Sequence, residues 1–398
     1  MDDSLAMTIE ALQTSEYYVS TLDKLKNLTL TFTHTLFDYN EINKNMNYHP
    51  IDNDSEDKFR DLRIKKVLGK GGFSEVYYAI NEVTGEEFAI RLTNINNKTY
   101  TLDRAKNEIS IYNQLKLVDH KNIAKVFKSK IITTDNSQDL QIIMELGVCS
   151  LDIILKNREL NQAYWSEIEI LKIAYDLISA LALVQTYGLN HRDISLNNIV
   201  LSKNLSDYKL IDFGEAIHFS QNMDDMPIVG KIRYLAPEIL AIISNWRNRD
   251  QQKVIIDYDL EKADVYSLGI VLLSMIHLEH INGSDIKNVT LSLLKIQKSH
   301  FRLFTLLNAM LDEEPNKRKR FSNLKMLLDN WNNEISQCVL NELEFVDDIA
   351  GLISSDDTNQ NNTVVEGDYH MKNGLYKEAI QIYLNIYKTE RYIKTRAM

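Results

Sequence analysis

Cysteine is nearly absent from this chain: Cys149 and Cys338 stand far apart among 398 residues, with no C-x-x-C spacing. Neither a disulfide framework nor a thiolate zinc site is indicated, and a reducing compartment fits. Positive charge is also in deficit. With 45 Lys+Arg against 56 Asp+Glu the formal net charge is −11, which argues against nonspecific nucleic-acid binding, a task that needs a basic surface. Long apolar runs are missing too. The longest, Leu268 to Ile276, is far short of the roughly 20 residues that cross a bilayer, so no membrane span is expected. The opening Met-Asp-Asp-Ser-Leu-Ala has neither a positive n-region nor a continuous apolar core. No secretory signal is expected, and the expected location is the cytoplasm, with the nucleus open.

What is present is enough for a sizeable core, since 44% of residues are hydrophobic, and enough length for one domain of roughly 270 residues with flanks. Leu5, Ile9, Leu12, Val19 and Leu22 recur at helical intervals, predicting a helical extension over 1–45. The heptad pattern breaks at Glu16 and near Lys26. Packing on the body of the protein and a partner-binding coiled coil therefore both stay open. A polar linker follows over 46–60. From Asp61 the pattern changes to short β-rich runs: Ile64–Leu68, Val76–Ile80 and Phe88–Leu92, with Asn81 to Glu86 as a hairpin loop. A helix around Glu108 to Leu117 and strands over Ile123–Phe127 and Leu140–Met144 are expected next. Beyond Leu151 the apolar runs at 168–187, 264–278 and 300–311 read as helices, giving an α+β protein.

A helical connector is expected over 336–353, and Ser354 to Asn362 is a polar linker. In 363–398, Gly367, Gly374, Tyr376, Ala379 and Tyr383 fall at tetratricopeptide-repeat spacing, with Asn373-Gly374 as the turn between two helices. A single such repeat cannot bury its face alone. A tetratricopeptide-like pair and a generic amphipathic pair docked on the body both remain open.

Chemistry concentrates in the middle of the chain. Gly69-Lys70-Gly71-Gly72-Phe73-Ser74-Glu75-Val76 lies between two predicted strands, and glycines there let backbone N–H groups approach phosphate oxygens with no Cβ in the way. Further on stands His191-Arg192-Asp193-Ile194-Ser195-Leu196-Asn197-Asn198, and then Asp212-Phe213-Gly214. Asp193 is an acid able to take a hydroxyl proton, and Asn198 and Asp212 are hard oxygen ligands for Mg²⁺. In this order and spacing the motifs resemble the eukaryotic protein kinase family, from about residue 60 to 335; the domain is set at 61–335.

The resemblance implies a two-lobed fold, with a small β-rich lobe before a larger helical one, and ATP and Mg²⁺ as cofactors. Val76 and Ala89 would form the ceiling over adenine and Val200 the floor. Met144 would be the gatekeeper, and the Glu145 carbonyl and Gly147 N–H would pair the adenine edge. Gly69, Gly71 and Ser74, the last where a third glycine would stand, would cover the phosphates. Asp193 would be the base and His191 a brace that packs with Phe213, Tyr112 and Val126. Glu238 and Arg318 would lock the activation segment to the large lobe, and Asp264 would anchor the catalytic loop. Arg192 would meet a phosphate on the activation segment, where Ser220 and Tyr234 carry hydroxyls and Asp224-Asp225 offers fixed anions or simply a solvated loop. An exposed loop is expected from Asn245 to Lys253.

Two lysines of the family are missing. The strand position, whose lysine in the family is held by an acid at the place of Glu108 onto the α- and β-phosphates, has Arg91, which keeps the charge and can grip Glu108 with two hydrogen bonds, and the catalytic loop holds Ser195. Lys231 stands where a threonine is implied. An exchange of places between hydroxyl and ammonium would bring Lys231 to Asp193 and Ser195; an exposed loop lysine is the other reading. The implied activity is ATP-dependent transfer of the γ-phosphoryl to a Ser/Thr hydroxyl of a protein substrate. The alternative is a pseudokinase that binds nucleotide or scaffolds partners, with the N-terminal helix or the C-terminal helix pair as contact surface.

Overall fold

The computed structural model describes residues 59, 61–71, 74–95, 100–118, 120–133, 137–205, 207–219, 228–247 and 258–332. The extension expected over 1–45, nearly all of the 46–60 linker, the elements expected over 336–398, and Ser220, Asp224 and Asp225 lie outside the described residues.

The small lobe is one five-stranded antiparallel sheet: β1 (Leu62–Lys70), β2 (Ser74–Asn81), β3 (Glu87–Asn94), β4 (Val126–Thr133) and β5 (Gln138–Glu145), in the order β1-β2-β3-β5-β4. Alternation along β3 divides its side chains between two faces. Phe88 and Ile90 join Phe59, Tyr77 and Ile143 in a small outer core, whereas Ala89 belongs to the main core. Arg91, paired with Ile142 across the ladder, shares the face of Ala89 and so is directed away from the outer core. The β2–β3 hairpin closes because Asn81 Oδ1 accepts from the N–H groups of Val83 and Thr84, both at 2.9 Å, and Gly85 takes φ +73°. Between β3 and β4 runs α1 (Leu102–Leu115), capped by Thr101, with Ala105, Glu108, Ile111, Tyr112 and Leu115 on its buried stripe.

One strand differs from its expectation. Ile123 forms only an isolated bridge to Leu210, and β4 begins at Val126 and runs on to Thr133. As an edge strand β4 carries Lys128 and Lys130, which discourage edge pairing but break the apolar signal.

The large lobe contains α2 (Leu151–Leu160), α3 (Glu167–Thr186), α4 (Pro237–Arg247), α5 (Leu260–His277), α6 (Ile286–Ile296), α7 (Phe301–Met310) and a helix over 321–332. Two short ladders pair β6 (Leu189–Asn190) with β9 (Ile217–His218), and β7 (Ile199–Leu201) with β8 (Tyr208–Leu210). The Leu268–Ile276 run is the middle of α5, buried all round as the spine of the lobe. Among the described residues no helix is long and apolar enough to cross a membrane. The α+β two-lobed architecture is as expected. In the insertion expected to be a loop, Asn245 to Arg247 complete α4, and the remainder lies outside the described residues.

Asp264 on α5 ties this spine to the loop after β6. Its two carboxylate oxygens accept from the backbone N–H groups of His191 (2.8 Å) and Arg192 (2.9 Å). Burial pushes the Asp264 carboxyl up to about 7, against the pull of those two donors. Asparagine at 264 can satisfy only one N–H and brings an amide donor to the other. Asp264→Asn is expected to cost about 1–3 kcal/mol of stability, read from the denaturant midpoint.

Candidate active site

The loop from His191 to Asn198 is over-determined. His191 is fully buried; its Nδ1 accepts from Asp193 N–H (3.3 Å), so its Nε2 carries the proton donated to the Ile211 carbonyl (3.2 Å). Its ring lies 4.6 Å from that of Phe213, whose N–H donates to the Tyr112 hydroxyl at 3.2 Å. Val126 packs against the same core. The brace thus runs from α1 to the loop. Arg192 (φ +65°) and Asp212 (φ +59°) both adopt left-handed backbone, a state costing roughly 1–3 kcal/mol that persists only where neighbours enforce it. For Arg192 the enforcing neighbour is Asp264. For Asp212 it is Gly214, whose N–H reaches Asp212 Oδ1 at 3.2 Å.

Asp193 keeps its two oxygens in different states. Oδ2 accepts from Asn198 Nδ2 (2.7 Å) and from the Lys231 ammonium (3.3 Å). Oδ1 is buried and has no hydrogen-bond partner among the described residues. Lys231 also donates to Ser195 Oγ at 2.8 Å. Ser195 is wholly buried, whereas the Lys231 side chain is 43% exposed. The hydroxyl and the ammonium therefore sit together beside Asp193, each in the position where the family pattern implies the other.

Arg91 departs from its expected geometry. It does not grip Glu108 with both nitrogens; Nη2 pairs with Glu108 Oε1, and Nη1 lies 2.5 Å from Asp212 Oδ1. Two features explain this. The Tyr100 hydroxyl takes the second oxygen of Glu108, and Gly214 leaves room for the fork, since a Cβ there would stand 3.2 Å from Arg91 Nη1. Glu108 is 1% exposed and Arg91 7%, so each needs its partner. Burial is the largest influence on the Asp212 carboxyl and pushes it up, but the Arg91 guanidinium, the Gly214 N–H, His191 and Lys231 together hold it below its ordinary range. The sequence reading missed Tyr100, which precedes the cap of α1 and follows no pattern. It also missed Arg104, which pairs with Glu215 at 2.5 Å; the i, i+4 spacing to Glu108 points to a different partner, and no local pattern reveals a pair 111 residues apart.

Above the loop, Met144 faces Ala89 across the β3–β5 ladder, and Val76, the third residue of β2, stands opposite Gly69. The linker between the lobes presses onto β7: a Cβ on Gly147 would stand 2.7 Å from Val200 Cβ, and Val148 N–H donates to the Leu201 carbonyl at 2.8 Å. Gly147 N–H itself donates to no acceptor among the described residues. Glu145 adjoins it, its carboxylate 3.1 Å from Lys209. A Cβ on Gly69 would meet nothing within 4 Å among the described residues, and Gly71 N–H donates to the Ser74 carbonyl at 2.7 Å. Tyr234 is buried, its phenol pushed up to about 12 by desolvation, which makes it a core residue and not an accessible hydroxyl.

These residues suit a nucleotide and a divalent cation. Gly147 offers an unspent donor beside an apolar floor. Asn198 Nδ2 spends its protons on the Asp193 carbonyl and carboxylate, leaving the amide oxygen as the atom able to ligate. Among the described residues no group of three His, Cys, Asp or Glu could hold a metal. A two-oxygen set is what Mg²⁺ uses when phosphates and water complete its shell.

The family model for the protein kinase domain matches residues 62–335. The chain is similar to calcium-dependent protein kinase 5 of Plasmodium berghei, 30% identical over 259 residues, covering 63% of this chain and 40% of the relative. To CBL-interacting protein kinase 11 of Oryza sativa subsp. japonica it is 28% identical over 275 residues, covering 66% and 50%. A Dictyostelium discoideum protein named probable serine/threonine-protein kinase nek3 is 29% identical over 274 residues, covering 66% and 22%. The chain spans half or less of the length of these relatives.

Proposed function

The chain belongs to the protein kinase family, and from that premise we propose that it transfers the γ-phosphoryl of ATP to a serine or threonine hydroxyl of a protein substrate. The observation that carries the reading is the placement of Asp193, whose carboxylate is fixed by Asn198 and Lys231 together. That carboxylate is the acceptor for the substrate proton. The hydroxyl oxygen forms a bond to the γ-phosphorus, the bond from that phosphorus to the β-bridging oxygen breaks, the proton passes to the Asp193 carboxylate, and ADP leaves. Asn198 and Asp212 would hold Mg²⁺, which would supply positive charge to the phosphate oxygens.

Adenine lies between Val76 and Ala89 above and Val200 below, its edge on the Glu145 carbonyl and Gly147 N–H, with Met144 behind. Gly69, Gly71 and Ser74 cover the phosphates. Lys231 supplies the cation that Ser195 cannot, 2.8 Å from the serine, where charge develops on the transferring group. That geometry favours an enzyme over a pseudokinase scaffold. The serine/threonine preference is supported by the name of the Dictyostelium relative. The flanks over 1–45 and 363–398 are assigned to protein contacts, on their helical spacing, and the scarcity of cysteine supports a cytoplasmic or nuclear setting.

The test is transfer of radiolabelled γ-phosphate to a protein acceptor by the full chain and by Asp193→Asn. Signal well above the Asp193→Asn background is expected; wild-type signal equal to that background would end the enzyme reading.

A further inference from the structure

The guanidinium of Arg91 holds two acids from different lobes, each with its own nitrogen. Nη2 is on Glu108 of α1 and Nη1 is 2.5 Å from Asp212 Oδ1. The Tyr100 hydroxyl donates to the other oxygen of Glu108, Oε2. Room for the fork comes from Gly214, where a Cβ would stand 3.1 Å from Asp212 Oδ1, 3.2 Å from Arg91 Nη1 and 3.3 Å from Glu108 Oε1. Asp212 Oδ1 thus receives two donors, Arg91 and its own Gly214 N–H. The Arg91 side chain is only 8% exposed and that of Asp212 37%, so water reaches the contact from the Asp212 side alone.

An oxygen in that state is a poor ligand for a divalent cation. The guanidinium repels the incoming charge, and its proton cannot be removed at any workable pH, so this competitor is permanent. Resting on the nucleotide and cation reading above, we propose that Arg91 is a resident counter-ion for Asp212 that partly takes the place of the divalent cation. Nucleotide binding by this chain is therefore only weakly coupled to Mg²⁺. Lysine at 91 has a single nitrogen to share between Glu108 and Asp212 and so competes less with the metal at Asp212.

The experiment is calorimetric titration of the full chain with ADP, in EDTA and in excess Mg²⁺, for wild type and Arg91→Lys. Couplings between ligands commonly run about 5–150-fold; the wild type is expected below about fivefold and Arg91→Lys above about tenfold. Wild-type ADP binding tightened more than about tenfold by Mg²⁺ would overturn the inference and leave the nucleotide site standing. So would a metal response in Arg91→Lys equal to that of wild type. ADP binding in neither buffer would sink the nucleotide reading and the inference with it. The wild-type comparison decides the matter even if the variant does not fold.

Discussion

Asparagine at position 193 is expected to lower the rate of γ-phosphoryl transfer by about 10²–10⁴-fold, the usual contribution of a positioned general base. The replacement keeps the shape and the acceptor oxygen that Asn198 Nδ2 now uses at 2.7 Å. It removes the charge that holds Lys231 at 3.3 Å and the basicity of the carboxylate. The loss belongs in kcat and in kcat/KM alike, with KM for ATP little changed, because the interaction is made only as the hydroxyl reacts. A fall confined to KM would point instead to a binding role for Asp193.

Removing the Glu238 carboxylate is expected to have an effect of similar size on folding. Arg318 holds Glu238 with two parallel hydrogen bonds, both at 2.8 Å, while its remaining protons go to the carbonyls of Asp312, Lys262 and Glu313. Its guanidinium also lies over the Tyr266 ring at 4.8 Å, and its side chain is wholly buried. Glu238→Ala strands a buried cation, which costs about 3–5 kcal/mol. Glu238→Gln retains one acceptor and should lose less. Thermal and denaturant midpoints measure both; an unchanged midpoint in the alanine variant would mean the pair does not lock α4 to the lobe.

Much of the fold could be read from the residues because local preference and burial agree. The strands around Val76 and Phe88, the Asn81–Gly85 turn and the helices over the long apolar runs are such cases. Agreement failed at β4, where edge lysines hide an extended segment. In the site, residue types and order located the base, the oxygen ligands and the glycines. They did not give the direction of a long side chain. Arg91 was expected to chelate Glu108, and nothing in the spacing reveals that Tyr100 has already claimed one of that acid's oxygens. The Lys231 placement was readable only as one of two alternatives. A lysine on an irregular segment can turn either way, and the buried Ser195 hydroxyl at 2.8 Å is a tertiary fact.

The central claim is that Lys231 and Ser195 work as an exchanged pair at Asp193. It is tested most directly by measuring γ-phosphate transfer in Lys231→Thr, Ser195→Lys and the double variant beside wild type. Lys231→Thr alone is expected to lose about 10²–10³-fold, the scale for removing one group that stabilises developing charge. Ser195→Lys alone should also be slow, since it crowds two ammonium groups. The double variant returns hydroxyl and ammonium to the order the family pattern implies and should recover to within about tenfold of wild type, a strongly non-additive result. Undiminished transfer by Lys231→Thr, or a double variant no faster than Lys231→Thr alone, would contradict the account.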